Sequence, residues 1–236
     1  PDDAPPPAVQ RHSIRSGQPA GDAEYSGIAA IATSIAGNHA AYCSAVLVEP
    51  DVLLTAAHCL KDSEHFPFGA LYAGGNIVVL TGIDVRKPAP HQIHTIQSIH
   101  FYPYTDLSRT PDKHDIAIVR LAREVSPQDA APIPYLTDKS KIYKLLQAHG
   151  AVTFVGYGLD GDSSGKRLFA KGHLDGFCPV ASIECPQTLP DGEITRIPGG
   201  TTRHDIAAGG PCNGDSGGPA LIDVDGTPHV LGIISY

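Results

Sequence analysis

The chain has 236 residues, enough for one large all-β domain or two small ones, and its 25 glycines and 21 prolines favour turns over long helices. A formal net charge of −8 without a basic stripe argues against nucleic acid as a partner. No apolar run reaches the roughly 18 residues that span a bilayer, so no membrane association is expected. Five cysteines suggest an oxidising compartment, and the odd count leaves at least one unpaired within this chain.

Residues 1–13 are proline-rich and polar with no apolar period, as in an extended arm or propeptide. Residues 27–35, 42–48 and 51–55 predict strands. The third runs into Thr55-Ala56-Ala57-His58-Cys59. Small residues let a tight helical turn sit close to a sheet, so His58 projects from a rigid place, as a general base requires. A bridge between Cys43 and Cys59 would clamp this turn, and closing a loop of that length stabilises by about 3 kcal/mol in the chain-entropy model. Residues 61–75 read as loop, then 77–80 and 93–101 as strands. His91 and His94 stand three apart, but no third ligand type clusters nearby and no metal is expected.

Residues 102–113 are polar and proline-broken. Residues 114–121 predict a strand with apolar Ile116, Ile118 and Leu121, entered through Asp115. An acid at the mouth of a buried strand is costly without a partner, and a histidine N–H is a natural one. Residues 122–134 have the character of a linker. Residues 142–146 fit a short helix or a strand. Residues 152–158 and 168–177 predict strands, and 186–211 mostly loop. Cys178 and Cys185 are close enough for a local bridge, but spacing alone does not pair them or Cys212. Residues 219–224 and 229–235 predict a hairpin around Asp225-Gly226.

The stretch with most chemistry is Gly214-Asp215-Ser216-Gly217-Gly218-Pro219. Glycines here permit a sharp turn and close substrate approach. Successive N–H groups in such a turn can hold a developing oxyanion. Ser216 is therefore a candidate nucleophile, with the N–H groups of Gly214 and Ser216 as oxyanion donors. The same stretch fits the G-x-S-x-G elbow of α/β-hydrolases, whose order is Ser, acid, His. Too little chain follows Ser216 for that fold, and His229 is the only later histidine.

His58, Asp115 and Ser216 supply base, orienter and nucleophile in the chymotrypsin-type order. Leu54-Thr55-Ala56-Ala57-His58-Cys59, Asp115-Ile116-Ala117-Ile118-Val119-Arg120-Leu121, Val155-Gly156-Tyr157-Gly158, Gly214-Asp215-Ser216-Gly217-Gly218-Pro219 and Gly232-Ile233-Ile234-Ser235-Tyr236 resemble landmarks of trypsin- and chymotrypsin-like serine proteases. The resemblance runs from about Ile14 to the end. It implies an all-β fold of two antiparallel six-stranded barrels, 14–122 and 135–236, joined by a linker at 123–134. It implies a secreted endopeptidase that needs no cofactor and acts on protein or peptide substrates. It also implies a Cys43–Cys59 disulfide. His58 takes the hydroxyl proton of Ser216, and Asp115 fixes the imidazole tautomer. Gly210 lies where the family places the base of the pocket for the side chain preceding the cut. Uncharged, it argues against a Lys or Arg preference. The resemblance implies that Ser235 and Tyr236 form a wall of the same pocket and hold substrate backbone.

Two departures from the pattern carry consequences. Ile14-Arg15-Ser16-Gly17 resembles the family's new N-terminus, whose amine pairs with the acid before the nucleophile, here Asp215; but Ser13, not Arg or Lys, precedes it and the chain is unbroken. Either an uncut precursor or a protein that orders its pocket differently is expected. The chain also stops at Tyr236, before the last strand and helix of the family. A C-terminally short second barrel is expected, in a fragment or in a chain completed by a second polypeptide. The competing reading is an inactive protease-fold binding protein.

Overall fold

A computed structural model describes residues 14, 17–21, 23–64, 66–102, 115–148, 150–160, 163–176, 192–197, 200–205, 211 and 214–235. A short first strand, β1 (Gln18–Pro19), precedes the hairpin of β2 (Ile28–Ile35) and β3 (Asn38–Glu49). Ala36 and Gly37 turn that hairpin with positive φ, the geometry that matches the twist of paired strands. Then follow β4 (Val52–Thr55), β5 (Ile77–Leu80), β6 (Ile93–Phe101) and β7 (Ala117–Leu121). These pair in the order β2-β3-β4-β7-β6-β5 and close on β2 as a six-stranded barrel. Closure leaves no free edge.

Helix α1 (Phe68–Ala73) lies between β4 and β5, and helix α2 (Lys139–Gln147) leads into the second half. Its strands are β8 (Ala151–Gly156), the small hairpin β9 (Leu159–Asp160) and β10 (Ser163–Ser164), β11 (Leu168–Gly176), β12 (Gly192–Ile197), β13 (Gly200–Asp205), β14 (Pro219–Val224) and β15 (Thr227–Ile233). Six of them form an antiparallel path, β12-β13-β11-β8-β14-β15. The end strands β12 and β15 approach each other, so the sheet curls, but among the described residues no ladder joins them. The fold is all-β in two halves, the first a closed barrel. Their cores merge: Ile28, Val46 and Leu53 belong to one buried cluster with Val155, Tyr157, Leu221 and Ile233. The hydroxyl of Tyr157 donates to the Ile28 carbonyl at 2.9 Å, tying the two halves by a polar contact as well.

The structure settles one element that the sequence left open and differs from the reading at others. Residues 142–146 are helical, inside α2. Asp138 Oδ1 caps that helix, accepting from the N–H groups of Ser140 (2.9 Å) and Lys141 (3.2 Å), while Ile142 and Leu145 pack on a cluster around Phe154. The expected loop at 61–75 contains helix α1 (Phe68–Ala73), anchored by buried Phe68 stacked on Tyr72. The expected loop at 186–211 contains β12 and β13, where β-branched Ile194, Thr195, Thr201 and Thr202 favour extended backbone. In β7 the buried residues are Ala117, Val119 and Leu121, and Ile118 is 41% exposed. The strand pleat has period two, so Ile116 and Ile118 cannot share a face with Leu121.

The N-terminal segment also sits elsewhere than its place in the chain suggests. β1 pairs with β11, and Ile14 packs on Leu168 and Ala170. Arg167, just before β11, holds the segment from both directions: its carbonyl accepts from Ala20 N–H at 3.1 Å, and its guanidinium donates to the Gly21 carbonyl at 2.9 Å. Ile14 and residues 18–21, assigned to the first barrel from sequence, therefore dock on the second half.

Candidate active site

β4 delivers the chain into a short 3₁₀ turn, Ala57–Leu60. Ala56 and Ala57 are fully buried, so the turn lies directly against the barrel, and Cys59 and Leu60 point inward. His58 is left facing a crevice with about a fifth of its side chain exposed. The Cys43–Cys59 disulfide, with Cα atoms 6.1 Å apart, links this turn to β3. Among the described residues one group of His and Cys is close enough to suggest a metal: Cys43, His58 and Cys59. Both sulfurs are already bonded to each other, so no thiolate is available there.

Asp115 grips His58 twice. Its Oδ1 accepts from the His58 backbone N–H at 2.7 Å, and its Oδ2 lies 2.6 Å from His58 Nδ1. An ionised carboxylate only accepts, so Nδ1 carries the proton and the neutral ring presents Nε2 as its acceptor. Ser235 Oγ donates to the same Oδ2 at 2.5 Å. Burial pushes the Asp115 carboxyl up, but the hydrogen bond and charge of His58, with the Ser235 hydroxyl and the His58 amide, outweigh it and hold the group below the usual range.

Ser216 is buried at 5% exposure, and the peptides around it are held tightly. The Gly214 carbonyl accepts from Ser44 Oγ at 3.0 Å, and the Ser216 carbonyl accepts from Ser44 N–H at 2.8 Å. The Asp215 carbonyl accepts from Gly218 N–H at 2.9 Å, and Gly217 N–H donates to the Ile234 carbonyl at 2.8 Å. Gly217 has φ +85°, and a Cβ there would overlap Thr55 Oγ1 and the Ser44 carbonyl. Only glycine fits this close approach of the two halves. The Ser216 carbonyl lies 3.6 Å from Cys59 Sγ, which in turn lies 3.8 Å from His58 Nε2. One disulfide sulfur thus bridges the imidazole and the serine-bearing turn.

Asp215 is fully buried. Its Oδ1 accepts from Gly158 N–H at 2.9 Å and its Oδ2 from Ile14 N–H at 3.0 Å, across 201 positions of chain. Gly156 allows this, since a Cβ there would overlap Asp215 Oδ1. In the unbroken chain the donor at Ile14 is a peptide N–H.

The structure thus brings together His58, Asp115 and the turn of Gly214 and Ser216, and pairs Ile14 with Asp215. Ser235, expected along a pocket wall, points its hydroxyl at Asp115. Gly210, Tyr236, Cys178, Cys185 and Cys212 lie outside the described residues. Two contributors escaped the sequence reading: Ser44 and Thr55, both fully buried, with Thr55 Oγ1 donating to the Ser44 carbonyl at 2.8 Å. A hydroxyl inside the apolar run 42–48 was the available signal, since a buried hydroxyl needs partners.

The family model described as Trypsin matches residues 14–236. The chain is 29% identical over 227 residues to "Serine protease Hayan" of Drosophila melanogaster, covering 89% of this chain and 33% of that protein. It is 28% identical over 204 residues to human "Chymotrypsin-like elastase family member 3B", covering 82% of this chain and 67% of that protein. It is 25% identical over 207 residues to rabbit "Vitamin K-dependent protein C", covering 82% of this chain and 40% of that protein. The chain therefore spans a third to two-fifths of the length of some of these relatives. With the closed barrel, the His58–Asp115 pair and the Gly214–Gly218 turn beside it, a match over residues 14–236 leads to one conclusion: the chain belongs to the trypsin family of serine proteases.

Proposed function

We propose that this chain is the catalytic unit of a secreted serine endopeptidase, with His58 as base, Asp115 as its orienter and Ser216 as nucleophile. The observation that carries the reading is the 2.6 Å contact between Asp115 Oδ2 and His58 Nδ1, which leaves Nε2 free to accept a proton beside the Ser216 turn. In the reaction, Ser216 Oγ forms a bond to the scissile carbonyl carbon while its proton passes to Nε2. The carbonyl electron pair moves to oxygen, held by the N–H groups of Gly214 and Ser216. Collapse expels the amine, which takes the proton from His58 and leaves an acyl-enzyme. Water repeats the sequence, and Ser216 regains its proton. Asp115, held ionised, stabilises the imidazolium formed in each half.

The Ile14–Asp215 contact supports a precursor that cleavage activates. Cutting the Ser13–Ile14 bond converts a peptide N–H into an ammonium already placed against a buried carboxylate. Gly210, uncharged at the expected base of the pocket, favours substrates with an apolar or medium-sized side chain before the cut. The Cys43–Cys59 disulfide agrees with secretion.

A fluorophosphonate probe tests the reading on processed protein. Covalent label on Ser216, lost in Ser216→Ala and His58→Ala, is the expected result. No label after processing would assign the chain to binding instead.

A further inference from the structure

Ser44 makes hydrogen bonds to both flanks of the candidate nucleophile, and no step assigned above uses it. It lies in β3, directly after the disulfide cysteine that is linked to the residue next to His58. Its hydroxyl donates to the Gly214 carbonyl at 3.0 Å and accepts from Tyr157 N–H at 2.9 Å. Its N–H donates to the Ser216 carbonyl at 2.8 Å, and its carbonyl accepts from Thr55 Oγ1 at 2.8 Å. The side chain is fully buried, so water does not compete for these partners.

The peptide between Asp215 and Ser216 carries the Ser216 N–H, a proposed oxyanion donor. Ser44 holds the peptide before it through the Gly214 carbonyl, and the peptide after it through the Ser216 carbonyl. Rotating the donor out of position requires breaking one of these bonds. Two adjacent residues of one strand therefore fix both partners: Cys43 the turn of His58, Ser44 the turn of Ser216.

We infer that Ser44 is a positioning residue for catalysis, setting the oxyanion-binding N–H of Ser216 from the opposite barrel. The inference rests on the endopeptidase reading above. Its effect falls on the transition state, where the oxygen is charged, more than on bound substrate.

The test uses processed protein, with active sites counted by fluorophosphonate titration. Ser44→Ala and Ser44→Gly are compared with the unaltered chain. The expected result is a kcat per titrated site lower by roughly tenfold, with KM within about twofold. Affinity for a peptide boronate, whose tetrahedral adduct places a charged oxygen on the donors, falls by a similar factor. Affinity for a non-covalent competitor of the same sequence is unchanged. Should neither variant fold, Thr55→Val loosens Ser44 from behind and is expected to lower kcat by a smaller factor, again at constant KM. Variants that turn over at the unaltered rate per site, with loss only in thermal midpoint, overturn the inference and leave the endopeptidase reading standing. An unaltered chain that takes no label overturns both.

Discussion

Ser235 and Asp115, 120 positions apart, meet through a 2.5 Å hydrogen bond from Oγ to Oδ2. The acceptor is the same oxygen that faces His58 Nδ1. Ser235 follows the end of β15 in the second half, and Asp115 precedes β7 in the first. The base is thus oriented by groups from both halves. Ser235→Ala removes a hydrogen bond to a charged group, a contribution of about 1.5–3 kcal/mol. We expect kcat/KM to fall by roughly tenfold while the disulfide and the fold persist. Steady-state kinetics on titrated enzyme measures it; an unchanged kcat/KM would reduce Ser235 to a bystander.

The depressed carboxyl of Asp115 has a consequence for acid stability. Its folded pKa lies below its unfolded value, so as pH falls the unfolded chain binds the proton first. Its contribution is complete above the unfolded value of about 4 and is lost as pH drops through the lower folded one. Asp115→Asn cannot titrate. Thermal midpoints of the two proteins should therefore converge as pH is lowered from about 6 to about 3, having differed at the higher end. Parallel curves over that range would exclude Asp115 as a contributor.

Gly217→Ala tests how closely the halves meet. A methyl group at this position overlaps Thr55 Oγ1 and the Ser44 carbonyl, in a backbone already at φ +85°. Neither obstacle is a flexible side-chain end, since both are held by the Thr55–Ser44 hydrogen bond. Strain of this kind with overpacking costs about 3 kcal/mol or more. Denaturant unfolding should show at least that loss, or no folded protein at all. A variant within about 0.5 kcal/mol of the unaltered chain would contradict the geometry.

Activation supplies a fourth expectation. On the activation reading, an amine released at Ile14 would face the fully buried Asp215, to which the Ile14 peptide N–H now donates. Asp215→Asn keeps the size of the side chain but leaves that ammonium without its counter-charge, at a cost of about 3–5 kcal/mol. Processed Asp215→Asn should lose well over tenfold in activity. Ser13 precedes the bond, and the neighbouring basic residues are Arg11 and Arg15. Trypsin should therefore cut elsewhere and leave no chain beginning at Ile14. N-terminal sequencing of treated and of active material decides this; a trypsin-made Ile14 terminus would sink it.

What could be read from the chain follows from how local each signal is. His58, Asp115 and Ser216 each stand at the end of a strand or in a glycine turn, where a few neighbouring residues announce the geometry. The runs at 77–80 and 93–101 announce strands in the same way, and β5 and β6 match them. Ser44 and Thr55 were marked only as hydroxyls within apolar runs, because the partners that define their role lie up to 170 positions away. β12 and β13 were hidden by the surrounding proline and glycine, although Pro198-Gly199-Gly200 is itself a turn signal between two β-branched runs. β1 is two residues long, too short for any periodicity, and only its partner reveals it. Its place on the second half comes from Arg167 and β11, residues that nothing near position 18 foretells.

That last pairing sets the order in which the molecule can be assembled. Residue 18 leaves the ribosome well before its partner, residue 169, is made, and Asp215 follows later still. The closed first barrel draws its strands from residues 28–121 and can form while synthesis continues, but the stretch ahead of it must wait. Joining ends so distant carries a loop-closure cost late in the process. The bond that links Ile14 to Asp215 accordingly cannot form until Asp215 has been made, well after the last strand of the first barrel, and the site it braces stays immature until then.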